Sequence, residues 1–306
     1  MLANTTTANV NLGRVFPNSA ARGDWSPNCT LQRVANTVPR EWFQSPGVFC
    51  HGLRIGFRAT QPEVLAKIPT IFPPGWESYG DAVFDLEYSL EIDSKRLKYI
   101  AYLQENDTIV ASGLDELLNS LRLHLHHTIA EHASEHVFVH AGVVAWQGRI
   151  ILVPGRSRTG KSTLVRELIR AGAVYFSDEF AVLDDDGLVH PFARPVSLRC
   201  GNSRIQYDPC EHGKPVGAQP LPVGLIVITE YVPQSKWNPE YVSAGRALLN
   251  LAQNTVSIRS NPAKILRILK AVASSSLAVN SPREEASEIV LNLLNLSTTL
   301  DSSVAV

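Results

Sequence analysis

The chain has 306 residues, a formal net charge of −1, 44% hydrophobic residues and 19% charged residues. This is the composition of an ordinary globular protein, and the length predicts two domains. No block of Lys and Arg is present, so we expect no nucleic acid and no anionic membrane surface as a partner. No apolar run approaches the roughly 20 residues of a membrane span. Because the N-terminus also lacks the pattern of a signal peptide, we expect a cytoplasmic protein.

Three segments follow one another along the chain. Residues 1–47 are rich in Asn, Thr, Ser and Pro without periodicity, which predicts an irregular extension. Residues 48–133 combine short β-like stretches with one helical pattern of about 19 residues that begins near Asp115, which predicts an α+β N-terminal domain. The predicted strands are Gly52 to Arg58, Ala82 to Ile92, Leu97 to Leu103 and Thr108 to Ser112. Residues 134–306 form the third segment, an α/β domain.

The predicted helix of the N-terminal domain carries four histidines, His124, His126, His127 and His132. A metal site would need a pair spaced i and i+4 together with a third ligand, for which Glu131 is the candidate. The apolar stripe of this helix instead favours a solvated polar face for the histidines.

The third segment opens with a phosphate-loop motif. Residues 155–162 fit G-x-x-x-x-G-K-[ST], follow the apolar strand-like run from Arg149 to Val153, and lead into a helical pattern that ends at Arg170. Glycines let the loop backbone converge on phosphate oxygens at a helix N-terminus. We expect ATP to be held by the loop amides and by Lys161, with Mg²⁺ on the Ser162 hydroxyl. The predicted nucleotide-binding residues are Gly155, Arg156, Ser157, Arg158, Thr159, Gly160, Lys161, Ser162 and Thr163.

Two acidic residues, Asp178 and Glu179, end the strand that follows the phosphate-loop helix, 17 residues beyond Lys161. The carboxyl ends of strands line the ligand crevice of α/β sheets, so both carboxylates are expected to face the phosphates. One can deprotonate an attacking hydroxyl and the other can hold Mg²⁺.

The remaining elements of the third segment are read from turn and cap signals. A hairpin joins His136 to Ala145 with the next strand, and Asp184 to Gly187 is a turn rather than a cation site. Leu221 to Thr229 predicts a strand buried on both faces. Three helices are predicted to follow: Ala244 to Gln253, a second that starts at Asn261-Pro262, and a third that starts at Ser281-Pro282.

The sequence resembles the HPr serine kinase/phosphorylase family, and more closely its bacterial HPr-kinase-like relatives. The resemblance covers about residues 134–232 and rests on His140-Ala141, the phosphate loop and Ser177-Asp178-Glu179. It implies a mixed α/β sheet of the HPr-kinase/PEP-carboxykinase type with flanking helices, preceded by a smaller α+β N-terminal domain. It also implies that Asp178 is the catalytic base, that His140 is a neighbour tuning it, and that Glu179 assists the metal.

Departures from the family pattern concern the substrate. Arg158 stands where the family usually has Gly, the Glu-x-Arg-Gly signature is missing, and the stretch from Pro191 to Arg199 is similar to the Pro-Phe-x-[Lys/Arg]-Pro of HPr-kinase-like proteins. Whether HPr is the substrate, and whether the reverse phosphorolysis occurs, therefore stays open. Arg194, and less so Arg199, is a candidate contact to substrate or phosphate; the alternative is a surface ion pair.

The function predicted from these features is an ATP-dependent kinase, a phosphotransferase with an alcohol group as acceptor. The acceptor is a Ser or Thr of a small protein or peptide, or the hydroxyl of a small molecule. The alternative is a nucleotide-binding regulatory or assembly ATPase without a phosphoryl acceptor. The sequence contains neither a Leu-Ser-Gly-Gly-Gln-like motif nor an Asn-Lys-x-Asp motif. Their absence disfavours a transporter ATPase and a GTPase. The oligomeric state stays open, with a homo-oligomer among the alternatives.

Overall fold

The first sheet is built from the N-terminal part of the chain. A computed structural model describes residues 41–80, 83–93, 98–103, 107–156, 159–200 and 203–302. The sheet has seven strands in the order β4-β2-β3-β5-β6-β7, with β1 paired to β3. Strands β3 and β5 are parallel and the other pairs are antiparallel. The strands are β1 (Phe43–Gln44), β2 (Gly47–Cys50), β3 (Leu53–Ala59), β4 (Glu77–Tyr79), β5 (Leu86–Asp93), β6 (Lys98–Leu103) and β7 (Asp107–Ala111).

Helices cover one face of this sheet. Helix α1 (Pro62–Lys67) runs into a 3-10 turn (Ile68–Ile71), and α2 (Leu114–His132) follows β7. Leu117, Leu121, Leu125 and Ile129 recur at helical spacing along α2 and are all buried against the sheet. The helix of 19 residues is therefore confirmed, whereas α1 was not predicted. Strand β1 lies within residues 1–47, where no regular element was expected, and residues 1–40 lie outside the described part.

The second sheet has eight strands and contains the phosphate-loop motif. The elements are β8 (Val137–Trp146), β9 (Arg149–Pro154), α3 (Lys161–Arg170), β10 (Val174–Ser177), β11 (Phe180–Leu183), β12 (Leu188–His190), β15 (Leu221–Ile228), β16 (Glu240–Tyr241), α4 (Ala244–Gln253), α5 (Pro262–Ser275), β17 (Leu277–Asn280) and α6 (Ala286–Ser302). Strands β13 (Val196–Cys200) and β14 (Ser203–Tyr207) form a separate hairpin.

Strand pairing brings the predicted site residues to one edge of the second sheet. Strand β9 pairs antiparallel with β8 and parallel with β15, which in turn is parallel to β17. Strand β10 is also antiparallel to β8, so β9 and β10 run in the same direction. Their carboxyl ends therefore meet at one edge, as expected from the sequence. The pairings β8-β11, β11-β12 and β12-β15 return to β9 and close a ring of five strands.

Helices flank both faces of the second sheet because neighbouring strand residues point to opposite sides. Leu152 of β9 packs in the core beneath α4 and α5, while Ile151 and Val153 pack beneath α3 and α6. The mixed α/β sheet with flanking helices is thus confirmed. Residues Val223 to Val227 of β15 are all buried, which also confirms the strand buried on both faces.

Helix α3 lies unusually close to β8. A Cβ atom added at Gly142 would lie 2.5 Å from Cγ2 of Val165, so only glycine lets the helix approach this far. Since α3 begins with Lys161 and Ser162, this contact sets the height of the phosphate-loop helix above the sheet.

Most element boundaries agree with the sequence-based predictions, and one helix start is wrong. Helix α4 spans the predicted residues, and Asn261 caps α5 by accepting a hydrogen bond from the Lys264 N–H. Helix α6 begins at Ala286 rather than at Ser281. The Ser281 hydroxyl donates to the Pro282 carbonyl, and the backbone of Ser281 and Arg283 bonds to the last residue of β15 and to the residues just after it. In the part of the chain that the structure describes, no helix combines the length and apolarity needed to traverse a bilayer.

Candidate active site

The phosphate loop connects β9 with α3 and is anchored at both ends. The Gly155 N–H donates to the His140 carbonyl at 3.1 Å, and the Tyr231 N–H donates to the Thr159 carbonyl at 3.1 Å. Gly160 has φ of +82°, in the left-handed region that favours glycine, directly before the first helical residue. Thr163 lies exposed in the first turn of α3. Ser157 and Arg158 lie outside the described residues.

Lys161 folds back over the loop. Its Nζ donates to the Arg156 carbonyl at 2.6 Å, and the Thr159 hydroxyl donates to the same carbonyl at 3.0 Å. Burial lowers the pKa of Lys161, while Asp178 and Glu179 act to raise it. The ammonium group is thus held among two carboxylates and the loop backbone, where an added anion would find a partly desolvated positive charge.

A turn at the end of β10 presents the two acidic residues. The Ser177 Oγ accepts hydrogen bonds from the N–H groups of Glu179 and Phe180, at 3.3 and 3.1 Å. The Ala141 N–H donates to the Glu179 carbonyl at 3.1 Å, which fixes the turn against β8. Both carboxylates therefore stand beside the phosphate-loop helix on a rigid backbone.

Asp178 is the most perturbed carboxylate of this site. Burial, assisted by the neighbouring Glu179 charge, raises its pKa to about 7, although a hydrogen bond from Ser162 and the charges of Lys161 and Arg194 act in the opposite direction. Its Oδ1 atom is buried and has no hydrogen-bond partner among the described residues. A buried carboxylate oxygen without a partner is costly, and its natural partners are a proton, a ligand hydroxyl or a cation.

The oxygens of Ser162 and Asp178 fit the ligand preference of Mg²⁺. This cation prefers oxygen donors, and it usually keeps waters and phosphate oxygens alongside one or two protein ligands. No group of three or more His, Cys, Asp or Glu within the described ranges forms a complete metal cage. A site with few protein ligands that is completed by a nucleotide is the kind of site that these oxygens could form.

Glu179 and Arg194 form an ion pair beside Asp178. Arg194 Nη2 lies 2.9 Å from Glu179 Oε2, and its Nη1 lies 3.4 Å from His126 Nδ1. The Tyr175 hydroxyl donates to the Arg194 carbonyl at 2.7 Å. Only 16% of the Arg194 side chain is exposed, whereas 39% of the Glu179 side chain is, so the pair joins a mostly buried arginine to a half-exposed carboxylate. The metal-ligand role of Glu179 stays a prediction, and the Arg199 side chain lies outside the described part.

His140 lies between the loop and the acidic turn. Its backbone N–H donates to the Asn254 carbonyl at 2.8 Å, and its ring packs against Phe180 with a centroid distance of 4.8 Å. Burial lowers its pKa; the charge of Glu179 opposes this, whereas His127 and Lys161 add to it. These surroundings favour the neutral imidazole over the charged one, and its predicted effect on Asp178 stays a prediction.

The expectation that the helix-borne histidines form a solvated face is wrong for His126. Only 2% of this residue is exposed; its Nε2 contacts the Ile71 carbonyl at 3.0 Å, and its Nδ1 contacts Arg194. His127 points to the same region, with its ring 6.4 Å from that of His140. Helical periodicity could not reveal this, because the wall that covers the polar face of α2 comes from a segment more than 60 residues later.

Arg283 is a functional candidate that the sequence did not indicate. It is 1% exposed, and its Nη2 donates to the Gly160 carbonyl at 2.7 Å while Nη1 donates to the Glu284 carbonyl at 3.1 Å. Its local sequence, Ser-Pro-Arg-Glu-Glu, has the pattern of a helix start, which is why the residue was assigned to a first helical turn. The structure instead places its guanidinium against the phosphate loop.

Clefts of ligand size lie beside the phosphate loop and on the first sheet. The cleft beside the phosphate loop has a volume of about 460 Å³, and another of about 630 Å³ lies on the first sheet with Arg58 and Glu87 among its lining residues. The larger one is remote in the fold from the acidic turn, because it is formed by β1 to β5. The chemistry described above belongs to the loop on the second sheet.

Comparisons with known proteins add little to this geometry. No protein-family model matches the chain, and no curated protein matches its sequence. Among solved structures, the chain is similar to the HPr(Ser) kinase/phosphatase from Coxiella burnetii, with 14% identity over 55% of this chain and 97% of that chain, at a TM-score of 0.31. A likeness at this level does not establish a family or an activity, so both must be argued from the residues themselves.

Proposed function

We propose that this chain is an ATP-dependent phosphotransferase that moves a γ-phosphoryl group to the hydroxyl of an acceptor. The observation that carries the proposal is the buried Asp178 carboxylate, hydrogen-bonded by Ser162 and electrostatically coupled to Lys161 at the start of the loop helix. A protein that only binds a nucleotide has no need for a buried carboxylate with one oxygen left without a partner at this place. A general base works best with a pKa near the working pH, and Asp178 meets this condition.

The roles of the residues follow from their positions. The loop amides and Lys161 would bind the phosphates, and Arg194 would stabilise charge on the transferring phosphoryl group. Asp178 would take the proton of the acceptor hydroxyl as that oxygen bonds to the γ-phosphorus. The bond from phosphorus to the β,γ-bridging oxygen breaks, and ADP leaves. A magnesium ion held by Ser162, with the assistance of Glu179, would neutralise phosphate charge.

The acceptor would approach from the side of α2. Arg194 contacts His126 of α2 and pairs with Glu179, and the ring of His127 lies 6.4 Å from that of His140. Helix α2 packs on the first sheet, which belongs to the N-terminal part of the chain. This packing supports the proposal that the N-terminal part recognises the acceptor. The acceptor, a Ser or Thr of a small protein or peptide or a small-molecule alcohol, is part of the proposal.

The test is phosphoryl transfer from γ-labelled ATP and Mg²⁺ to panels of serine and threonine peptides, small carrier proteins and small alcohols. We expect labelled acceptor with the wild-type protein, and a rate lower by about 10²- to 10⁴-fold with Asp178→Asn, the range for loss of a general base. Asp186→Asn is the matched control, because Asp186 is exposed in the turn between β11 and β12. Release of free phosphate only, at a rate that Asp178→Asn does not change, would refute the transfer reaction.

A further inference from the structure

The cleft of about 460 Å³ lies on the side of the phosphate loop opposite to Asp178. Strand β9 stands between β8 and β15, and Asp178 follows β10 on the β8 side. The cleft is formed at the ends of β15 and β17 and by the C-terminal turn of α4. Its volume falls within the roughly 300–1,000 Å³ of small-molecule sites.

The lining of this cleft is rich in neutral hydrogen-bonding groups. Side-chain amides predominate, and they carry both donors and acceptors. Opposite charges come from the loop and from the end of β15. The amides belong to Asn250, Gln253, Asn254 and Asn280, the charges to Arg156 and Glu230, and hydroxyls come from Thr159 of the loop, Thr229 and Ser281. Such a surface suits an uncharged group with several hydrogen-bonding atoms better than it suits a phosphate.

Unused hydrogen-bonding capacity is present at the wall of the cleft. Thr229 lines it and is 8% exposed, and its buried hydroxyl has no hydrogen-bond partner within the described residues. The neighbouring backbone is fastened to the loop, since Tyr231 bonds to Thr159 and the Arg283 N–H bonds to the Glu230 carbonyl at 3.0 Å. The cleft and the phosphate loop are therefore one continuous surface.

The position of Asp178 determines in which orientation the phosphate chain of a bound nucleotide can lie in the loop. If the terminal phosphoryl group must reach the carboxylate on the β8 side, the other end of the phosphate chain leaves the loop toward β15. We propose that the cleft binds the ribose and base of the nucleotide, through the amides of Asn250 and Gln253 on α4 and of Asn280 at the end of β17. This inference rests on the proposed function and extends it to the nucleoside.

The experiment compares ATP with inorganic tripolyphosphate, which carries the phosphates without the nucleoside. Binding of each is measured by calorimetry in the presence of Mg²⁺, with the full chain and with the double variant Asn250→Ala/Gln253→Ala. Two hydrogen bonds of ordinary strength correspond to roughly a tenfold change in affinity. We expect the double variant to bind ATP about tenfold more weakly than the wild-type protein and to bind tripolyphosphate unchanged. Asn295→Ala, at an exposed position of α6, is the matched control.

Each other outcome overturns a different statement. If the double variant binds ATP as tightly as the wild-type protein, the cleft does not bind the nucleoside, and phosphoryl transfer through Asp178 remains. If the double variant loses affinity for ATP and for tripolyphosphate to the same degree, the amides act on the loop and not on a nucleoside. This result also overturns the inference. If the wild-type protein binds neither ligand, the proposed function fails with it. Urea unfolding of each variant shows whether a loss comes from the fold.

Discussion

Charged side chains of the first sheet pair with residues on or next to a neighbouring strand, as two examples show, whereas three buried polar atoms around the phosphate loop of the second sheet have no partner among the described residues. Arg54 pairs with Asp85 at 2.6 Å, and the Tyr102 hydroxyl donates to Glu91 at 2.7 Å. Near the loop, Asp178 Oδ1, Thr229 Oγ1 and Arg283 Nε are buried and unpartnered among the described residues. Native proteins satisfy most buried polar groups, so a cluster of exceptions indicates where a ligand is expected.

The same comparison separates two kinds of arginine. Arg54 contacts its carboxylate at the surface of the first sheet, with 38% of its side chain exposed, while Arg283 is buried and holds the backbone of the phosphate loop. Exposed ion pairs contribute little to stability, but a buried charged donor is expensive to remove. The difference between the sheets can be tested at these two positions first.

Arg283→Met is expected to have the largest effect of the substitutions that follow. It removes the hydrogen bond to the Gly160 carbonyl, and hydrogen bonds of charged groups contribute about 1.5–3 kcal/mol. We expect urea unfolding to show a loss in this range and calorimetry to show weaker ATP binding. Arg54→Met is the control and should leave ATP binding unchanged. Equal effects of the two substitutions would contradict a special role for Arg283.

Two glycines with close neighbours, one on each sheet, provide a second test of the difference between the sheets. A Cβ atom at Gly142 would meet Val165 of α3 at 2.5 Å, and one at Gly56 would meet the ring of Phe84 at 2.4 Å. The Phe84 ring is partly exposed and can move, whereas α3 is fixed over the sheet by its buried face. We expect Gly142→Ala to lower the free energy of unfolding by about 1–3 kcal/mol, as overpacking does, and Gly56→Ala to cost less.

The activity of the two glycine variants is the second part of this prediction. Helix α3 carries Lys161 and Ser162, so Gly142→Ala should also reduce ATP turnover, while Gly56→Ala should not. If both variants lose stability and activity to the same degree, α3 is no more rigidly held than Phe84.

Acid conditions test the junction between the two sheets. His51, at the turn between β2 and β3, has its Nδ1 at 3.2 Å from Nδ1 of His136, and its ring contacts Phe138. Burial, assisted by His136 and His190, lowers the pKa of His51 to about 3, while a hydrogen bond to Pro74 opposes this. In the unfolded state His51 binds a proton near pH 6.5. Its contribution to the free energy of unfolding is therefore fully present above that pH and is lost as the pH falls toward 3.

The effect expected from His51 is at most about 1.4 kcal/mol per pH unit in that window. His51→Gln should flatten the decrease in the free energy of unfolding between pH 6.5 and pH 4.5. His132→Gln, at an exposed position of α2, should leave the pH dependence as it is in the wild-type protein. A profile that His51→Gln does not alter would show that other groups cause the acid sensitivity.

Local patterns predicted the elements that carry the site. The glycines and the Lys161-Ser162 pair indicated the loop, and the end of β10 indicated that Asp178 would stand near it. The two segments lie together in the structure, because the conformation of such a loop and the position of a strand end depend on a few neighbouring residues; their roles in binding and catalysis stay predictions. The alternation of Ile151, Leu152 and Val153 between two cores likewise follows from the strand geometry alone.

Contacts between distant segments could not be predicted in this way. Arg283 was assigned to a helix start because its flanking residues fit a cap, yet its backbone is bonded to residues after β15. His126 lies on the polar face of its helix and is nevertheless buried, since Arg194 covers it. The amide-lined cleft is formed from three separate elements. In each case the decisive partner is far along the chain, where periodicity and propensity give no signal.

The tie between Arg283 and Gly160 has a consequence for biosynthesis. The loop is translated more than 120 residues before the guanidinium that holds its last carbonyl, and β9 must also wait for β15 as a parallel neighbour. A nascent chain released or paused before residue 283 would therefore carry the whole motif without the arginine that holds its last carbonyl. If the loop binds ATP as proposed, ribosome-bound intermediates should remain unable to capture it until residue 283 has joined the fold.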